Sequence, residues 1–338
     1  PRSWQTFLGR GYDTPNYVNV VYPIPVDPPF VPDNTPCGLY RRTFRIHPEM
    51  LKKKVYLNFE GVDSCFYLYV NNQFVGYSQV SHMTSEFKIT DKLHAGKNTI
   101  KVLVFKWCDG SYLEDQDCFR LSGIFREVYL LGRPESHIKD FYVRSDVSVS
   151  LDSVKVEFEN TYCGEITPEY TLISPDGETV YCGSDNTFTL ENPVLWNAEE
   201  PKLYTMVIKA GEEVIAQKIG FKRLEIKGSV VYLNGKSVKL WGINRHDNSP
   251  TGGYTATVDE ILRDLYLLKQ ANCNCIRTSH YPNDPRFLAL CDELGFMLVD
   301  EADIETHGMG FEYRDTWDWM RWSMLSTVDE WEAAYVDR

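Results

Sequence analysis

Residues 300–310 read DEADIETHGMG, and within the first eight of these positions Asp300, Glu301, Asp303 and Glu305 supply four carboxylates and His307 an imidazole. Such a run serves either as the acid–base pair of an enzyme or as part of a metal site whose catalytic partners lie elsewhere. Glu305 and His307 are two apart, so on extended backbone their side chains point to the same face. A carboxylate and an imidazole converging there make two ligands for a divalent cation; the plainer alternative is an exposed strand end.

Two further polar clusters, GINRHDNSP around His246 and RTSHYPND around Arg277 and His280, also follow apolar segments. The elements that must position all three alternate. SVKLWGIN reads as a buried strand, and TVDEILRDLYLLKQAN as a helix opened by a Thr257–Glu260 capping box. CNCIRTSHY is a second strand. DPRFLALCDELG is a helix with Asp284 as N-cap, Pro285 in its first turn and Gly295 past its end. FMLVDEAD is a third strand. Apolar strands alternating with helices mean parallel pairing with right-handed crossovers, in a doubly wound sheet or a barrel. Polar clusters at three successive strand C-termini match the layout of a (β/α)₈ barrel's working face, although loops are polar in any case.

The residues before this region have another rhythm. As far as residue 134, period-two segments such as KKVYLNFEGV and NTIKVLVFKW predict short strands, with a hairpin turn at Asn71-Asn72. From 135 to 223 more short strands follow, with a turn at Pro175-Asp176-Gly177. The expected organisation is a jelly-roll sandwich over 1–134, an immunoglobulin-like sandwich over 135–223 and the first three βα units of a TIM barrel over 224–338.

Composition narrows the function classes. In 338 residues, 43% hydrophobic and 14% aromatic content describes a folded protein of two or three domains. The net charge of −13 argues against a nucleic-acid partner. No apolar run is long enough to span a membrane. Nine widely spaced cysteines without a paired CxxC pattern predict reduced thiols and a cytoplasmic location; Cys273 and Cys275 are expected to pack rather than bind metal. The opening PRSWQTFLGRGYDTPNY carries no signal or transit segment and reads as an internal piece of a longer protein.

The motifs YDTPNYVNVVYPIPVDPPFVP, DGSYLEDQDCFRLSGIFREVYLLGRP, GINRHD, IRTSHYPND and VDEADIETHGM together resemble the glycoside hydrolase family that contains the bacterial β-galactosidases. YLEDQD…R.SGIFR and SHYPN favour that branch over the related β-glucuronidases and mannosidases. The resemblance implies retaining hydrolysis of terminal β-D-galactosides such as lactose, with Mg²⁺ at Glu305 and His307 and Na⁺ at Asp117. It implies galactose contacts from Asn19, Asp117, His246 and His280. Arg277 would hold the pocket floor by ion pairs or be purely structural. Asp115 is expected to be solvated filler. Cys118 and Phe119 stand where related sequences tend to carry Met and Trp, which bears on the subsite wall.

A retaining glycosidase needs two carboxyl groups about 5–5.5 Å apart on opposite sides of the scissile bond. Glu301, Asp303 and Glu305, if extended, would stand side by side at intervals of about 6–7 Å. The run is therefore expected to be half a metal site. In the family the acid–base Glu follows an Asn at the end of the fourth barrel strand, with the nucleophilic Glu further on, and this sequence holds no Asn-Glu dipeptide. A barrel takes about 250 residues, far more than follow position 222. The expectation is a chain with no catalytic residue of its own and no turnover when isolated. Its partner would be the remainder of its own enzyme, a homo-oligomer when intact. The alternatives are a non-catalytic carbohydrate-binding or complementing subunit of a split enzyme, and a metal-dependent hydrolase working from Glu305, His307 and His246.

Overall fold

The computed structural model describes residues 2–7, 13–311 and 319–338. The first two regions are β-sandwiches. In the first, strands Cys37–Ile46, Gly96–Phe105, Cys65–Val70 and Gln73–Gln79 form one antiparallel sheet in that order. The facing sheet runs Val128–Arg133, Lys54–Phe59, Ser85–Lys88. Alternate residues turn inward, as the pleat requires: Val55, Leu57 and Phe59 meet Phe66, Leu68, Val102 and Val104 in one core. Asn71 and Asn72 take φ of 50° and 66° and turn the predicted hairpin.

The second sandwich sets His137–Val147, Ser153–Cys163 and Thr187–Glu191 against a four-stranded sheet running Thr179–Gly183, Glu169–Ile173, Tyr204–Ala210 and Glu213–Ile219. Phe158 and Tyr170 stack across its core at 4.0 Å. Gly177, at φ 88°, closes the predicted turn.

In the third region Gly242–Arg245, Cys275–Thr278 and Met297–Val299 pair in parallel in chain order. They are linked by helices α1 (Val258–Gln270) and α2 (Pro285–Leu294). The Thr257–Glu260 capping box forms, and Asp284 and Gly295 cap α2 as expected. Ile261, Leu265, Phe287 and Cys291 bury the helices on Ile276 of the central strand. This is the opening part of a TIM barrel.

Two strand expectations are corrected. SVKLWGIN is not one buried strand. Lys236–Val238 is the outer strand of a small antiparallel sheet with Leu224–Lys227 and Val230–Leu233, and Gly242–Arg245 is the edge of the parallel sheet. An edge strand has one neighbour, so Trp241 and Ile243 remain 59% and 43% exposed despite their apolar character. The third strand ends at Val299 rather than running through DEAD. Beyond it the backbone leaves the ladder because its carboxylates are drawn to three different places.

Candidate functional site

Parallel register brings Asn244, Arg277 and Val299 side by side across the three strands, so the residues just past them share one end of the sheet. Arg277 places its Nε on Glu301 and its Nη1 3.4 Å from Asn244 Oδ1. The second oxygen of Glu301 lies 2.8 Å from His280 Nδ1. The Glu301 amide donates to the Thr278 hydroxyl at 3.0 Å, which in turn donates to Asp300 at 2.9 Å. Glu301 is thus pinned at its backbone and shared by a guanidinium and an imidazole. That contact fixes the orientation of the His280 ring, with Nδ1 as its donor when the ring is neutral.

His246 stands beside His280, edge to face, with ring centroids 5.9 Å apart. Burial pushes its imidazole below the ordinary value, His280 adds to the shift, and Asp117 opposes it. A neutral ring can donate from one nitrogen and accept at the other, which suits recognition of sugar hydroxyls. Beneath it the Tyr281 hydroxyl accepts from the Asp247 amide at 3.0 Å and lies 3.5 Å from His246 Nδ1. Buried Arg245 and Arg126 both hold Asp247.

The first sandwich reaches this end of the barrel through Glu114–Asp117, and each residue of EDQD has its own task. Glu114 and Asp115 form a two-residue parallel ladder with Glu305 and Thr306. Asp115 also binds Arg120 and accepts from the Gly308 amide at 2.6 Å. It is only 2% exposed, so the reading of Asp115 as solvated filler is corrected: a carboxylate there is anchored by a guanidinium and by a barrel-loop amide. Gln116 donates to the His280 carbonyl at 3.1 Å and to Asp303 at 3.2 Å. Asp117 is exposed and accepts from the Tyr17 hydroxyl at 2.7 Å.

Asn19 lies on the neighbouring loop, at φ 55°. Its carbonyl accepts from Arg120 at 3.1 Å, and the same loop bridges Asn16 to Arg120. Tyr17 and Phe119 pair at 5.5 Å beside Asp117, so the aromatic at position 119 stands on the rim.

The three odd-numbered carboxylates of DEADIET do not stand side by side, which corrects the extended reading. Glu301 turns to Arg277 and His280. Asp303 is fully buried against His82 at 2.8 Å and Gln116. Glu305 joins the ladder, and its Oε1 lies 3.1 Å from His307 Nδ1. His307 opens a 3₁₀ turn, His307–Phe311, rather than continuing a strand, yet the predicted pair converges. Both line an open cleft of about 540 Å³ with Trp322, Ser326 and Tyr335. A hard cation takes six or more oxygen ligands. Among the described residues no group of three or more His, Cys, Asp or Glu could hold a metal, so Glu305 and His307 together could supply at most two of the ligands such a cation needs. Asp117 likewise offers one carboxylate for a monovalent cation.

The fold therefore gathers Arg277, His280 and His246 directly, sets Asp117 within electrostatic reach of His246, and holds Glu305 and His307 in the adjoining cleft. Asn19 is tied to the Asp117 loop through its carbonyl. Glu301, Gln116, Asp303 and His82 were not foreseen as site residues. Glu301 had a signal: it lies two residues past the third apolar strand, at the same end of the sheet as the clusters around His246 and Arg277. Gln116 and His82 had none, because nothing local announces a contact across more than a hundred residues.

Comparison with known proteins gives three matching models. They are "Glycosyl hydrolases family 2, sugar binding domain" over residues 1–134, "Glycosyl hydrolases family 2" over 136–222, and "Glycosyl hydrolases family 2, TIM barrel domain" over 224–338. A β-galactosidase of Actinobacillus pleuropneumoniae is 49% identical over 91% of this chain and 30% of its own length. One of Staphylococcus xylosus is 45% identical over all of this chain and 34% of its own. The chain thus spans about a third of the length of these relatives. Among solved structures, a β-glucuronidase of Ruminococcus gnavus in complex with D-glucuronic acid aligns with a TM-score of 0.73 at 25% identity, over 80% of this chain and 51% of that one. A β-glucuronidase of Bifidobacterium dentium, at 20% identity and TM-score 0.73 over 79% of this chain and 53% of that one, shares the fold.

Proposed function

The chain belongs to glycosyl hydrolase family 2, and we propose that it supplies the galactose-facing and cation-facing half of a retaining β-galactosidase. One observation carries this reading: Arg277 and His280 share Glu301 beside His246, under a loop of the first sandwich that presents Asp117. Identities of 45–49% to β-galactosidases favour a galactoside over a glucuronide.

In this reading His246, His280, Asp117 and Asn19 meet sugar hydroxyls, while Arg277 and Glu301 keep the histidines in place. Retaining hydrolysis requires one carboxylic acid to protonate the glycosidic oxygen and a second carboxylate to attack the anomeric carbon. Neither role is assigned to a residue of this chain, and the isolated chain is proposed to bind without turnover. Glu305 and His307 would hold Mg²⁺ and Asp117 would hold Na⁺, the cations supplying positive charge beside the sugar site. The intact protein is proposed to be a homo-oligomer. A cytoplasmic location is supported by nine free cysteines; no helix among the described residues is long and apolar enough to cross a membrane.

The test has two arms, both with Mg²⁺ and Na⁺ present. A chromogenic β-galactoside should give no turnover that survives stringent repurification. Galactose should perturb the chain's NMR signals and lose that effect in H246A and H280A, while glucuronate binds more weakly. Turnover would mean a catalytic carboxylate pair lies within these 338 residues. Preference for glucuronate would overturn the substrate assignment. Activity that appears only on mixing with a chain carrying later barrel strands would favour the split-enzyme form of the reading.

A further inference from the structure

Tyr281 follows His280 in the SHYPN motif, yet no role falls to it in the sugar-site reading. Its side chain is 1% exposed, and its ring stacks on His82 at 3.9 Å. The hydroxyl has two partners among the described residues. It accepts from the Asp247 amide at 3.0 Å, and it lies 3.5 Å from Nδ1 of His246. The Asp247 carboxylate is held by Arg245 and by the Asp284 amide at 3.1 Å, so the backbone that meets the hydroxyl is fixed.

Counting protons decides the direction of the longer contact. A phenol carries one proton, and a buried donor is costly to leave without an acceptor. The Asp247 amide can only donate, so it uses the phenol oxygen and not the proton. His246 Nδ1 is then the one acceptor within reach of that proton among the described residues. In the reverse arrangement Nδ1–H would donate to the phenol, and the phenol proton would be stranded in a buried site. Burial also pushes the phenol above its ordinary value, so it keeps its proton. Burial pushes His246 below its own, which favours a neutral ring with a lone pair to offer.

We propose that Tyr281 is a positioning residue: its hydroxyl donates to His246 Nδ1 and so holds that ring in the tautomer protonated at Nε2, opposite to the tautomer that Glu301 imposes on His280.

The two histidines then offer a ligand different chemistry. An ionised Glu301 only accepts, so a neutral His280 keeps its proton on Nδ1, 2.8 Å from that carboxylate, and leaves Nε2 as an acceptor. His246 instead leaves Nε2–H as a donor. Among the described residues neither Nε2 has a hydrogen-bond partner, and the ring centroids stand 5.9 Å apart. Two hydroxyls that meet both rings must accept from one and donate to the other. This last step rests on the sugar-site reading; the tautomers themselves do not.

The experiment labels the imidazole nitrogens of the chain isotopically and records long-range proton–nitrogen NMR spectra at about pH 8, above the ordinary imidazole value. Nitrogen shifts separate protonated from bare ring nitrogens, and H246Q and H280Q assign the two rings among the seven histidines. Without any sugar, the expected pattern is a proton on Nε2 of His246 and on Nδ1 of His280. Y281F should send His246 to a mixture of tautomers, leave His280 unchanged and weaken galactose binding roughly tenfold. A role in packing alone would leave the His246 pattern unmoved, because phenylalanine keeps a ring against His82. The parent spectrum overturns the proposal by itself, whether or not Y281F folds, if His246 carries its proton on Nδ1 or His280 carries protons on both nitrogens. An unmoved His246 pattern in folded Y281F would overturn it too. The expected tautomers with no response to galactose at either Nε2 would sink the sugar-site reading and leave the tautomer assignment standing.

Discussion

His82 of the first sandwich meets Asp303 of the barrel segment through a 2.8 Å contact between imidazole Nδ1 and a carboxylate oxygen. Both side chains are buried. The same ring stacks on Tyr281 at 3.9 Å, and Tyr281 supports Asp247 and His246. One jelly-roll side chain therefore steadies two of the barrel loops that carry the candidate sugar contacts. H82A would leave Asp303 buried with, among the described residues, the Gln116 amide and the backbone of residue 82 as its hydrogen-bond partners. Leaving a buried acceptor without one of its hydrogen-bond donors costs about 1–3 kcal/mol, and the surviving donors place the expected loss at the lower end. Urea denaturation of H82A beside the parent chain measures it; an unchanged midpoint would mean that the contact carries no stability.

Glu301 should matter to ligand binding more than to folding. Its carboxylate is shared by Arg277 and His280 and is about a quarter exposed. E301Q keeps the shape and loses the charge that aligns both partners. Galactose affinity is expected to fall roughly tenfold, about 1.4 kcal/mol, with little change in urea midpoint. NMR titration reads the first quantity. Equal affinity would return Arg277 and Glu301 to a purely structural role.

Much of this architecture is legible in sequence, for local reasons. Thr257 and Glu260 cap α1 because a hydroxyl and a carboxylate three residues apart satisfy free helix amides wherever they occur. Asn71-Asn72 turns a hairpin because Asn tolerates positive φ. The convergence of Glu305 and His307 was likewise readable from spacing, though a 3₁₀ turn rather than a strand delivers it. The DEAD segment was misread because alternation assumes an intact ladder, and three long-range partners pull its carboxylates apart. The clamp between His82 and Asp303 joins positions 221 residues apart, and the ladder between Glu114 and Glu305 is similarly remote. Pairing at that range follows from how the domains meet, which no periodicity records.

The cation assignment makes a separate prediction. If Glu305 and His307 supply two of the donors for Mg²⁺, E305Q should weaken binding to this chain, because an amide oxygen replaces a charged one. Isothermal titration with Mg²⁺ alone, free of sugar, gives the readout. Affinity should already be modest in the parent, since among the described residues no group of three or more His, Cys, Asp or Glu is placed to hold a metal ion. Identical titrations for parent and variant would remove Glu305 from the site.

Glu114 makes stability depend on pH. It is held by the Ser81 hydroxyl at 2.6 Å and by Arg338 at 2.9 Å. Burial, reinforced by Asp303, nevertheless pushes its carboxyl from 4.5 up to about 7. The folded chain therefore keeps a proton between these values that the unfolded chain releases, and stability falls as pH climbs through that window. One pKa unit is worth about 1.4 kcal/mol, so the share of Glu114 is on the order of 3 kcal/mol. Asp115, raised from 3.8 to about 7 by burial, acts in the same direction. Urea midpoints between pH 5 and pH 7.5 should decline in the parent and decline less steeply in E114Q, which cannot ionise and leaves Asp115 to carry the remainder. Parallel profiles would mean that Arg338 and Ser81 offset burial fully and that Glu114 is ionised throughout.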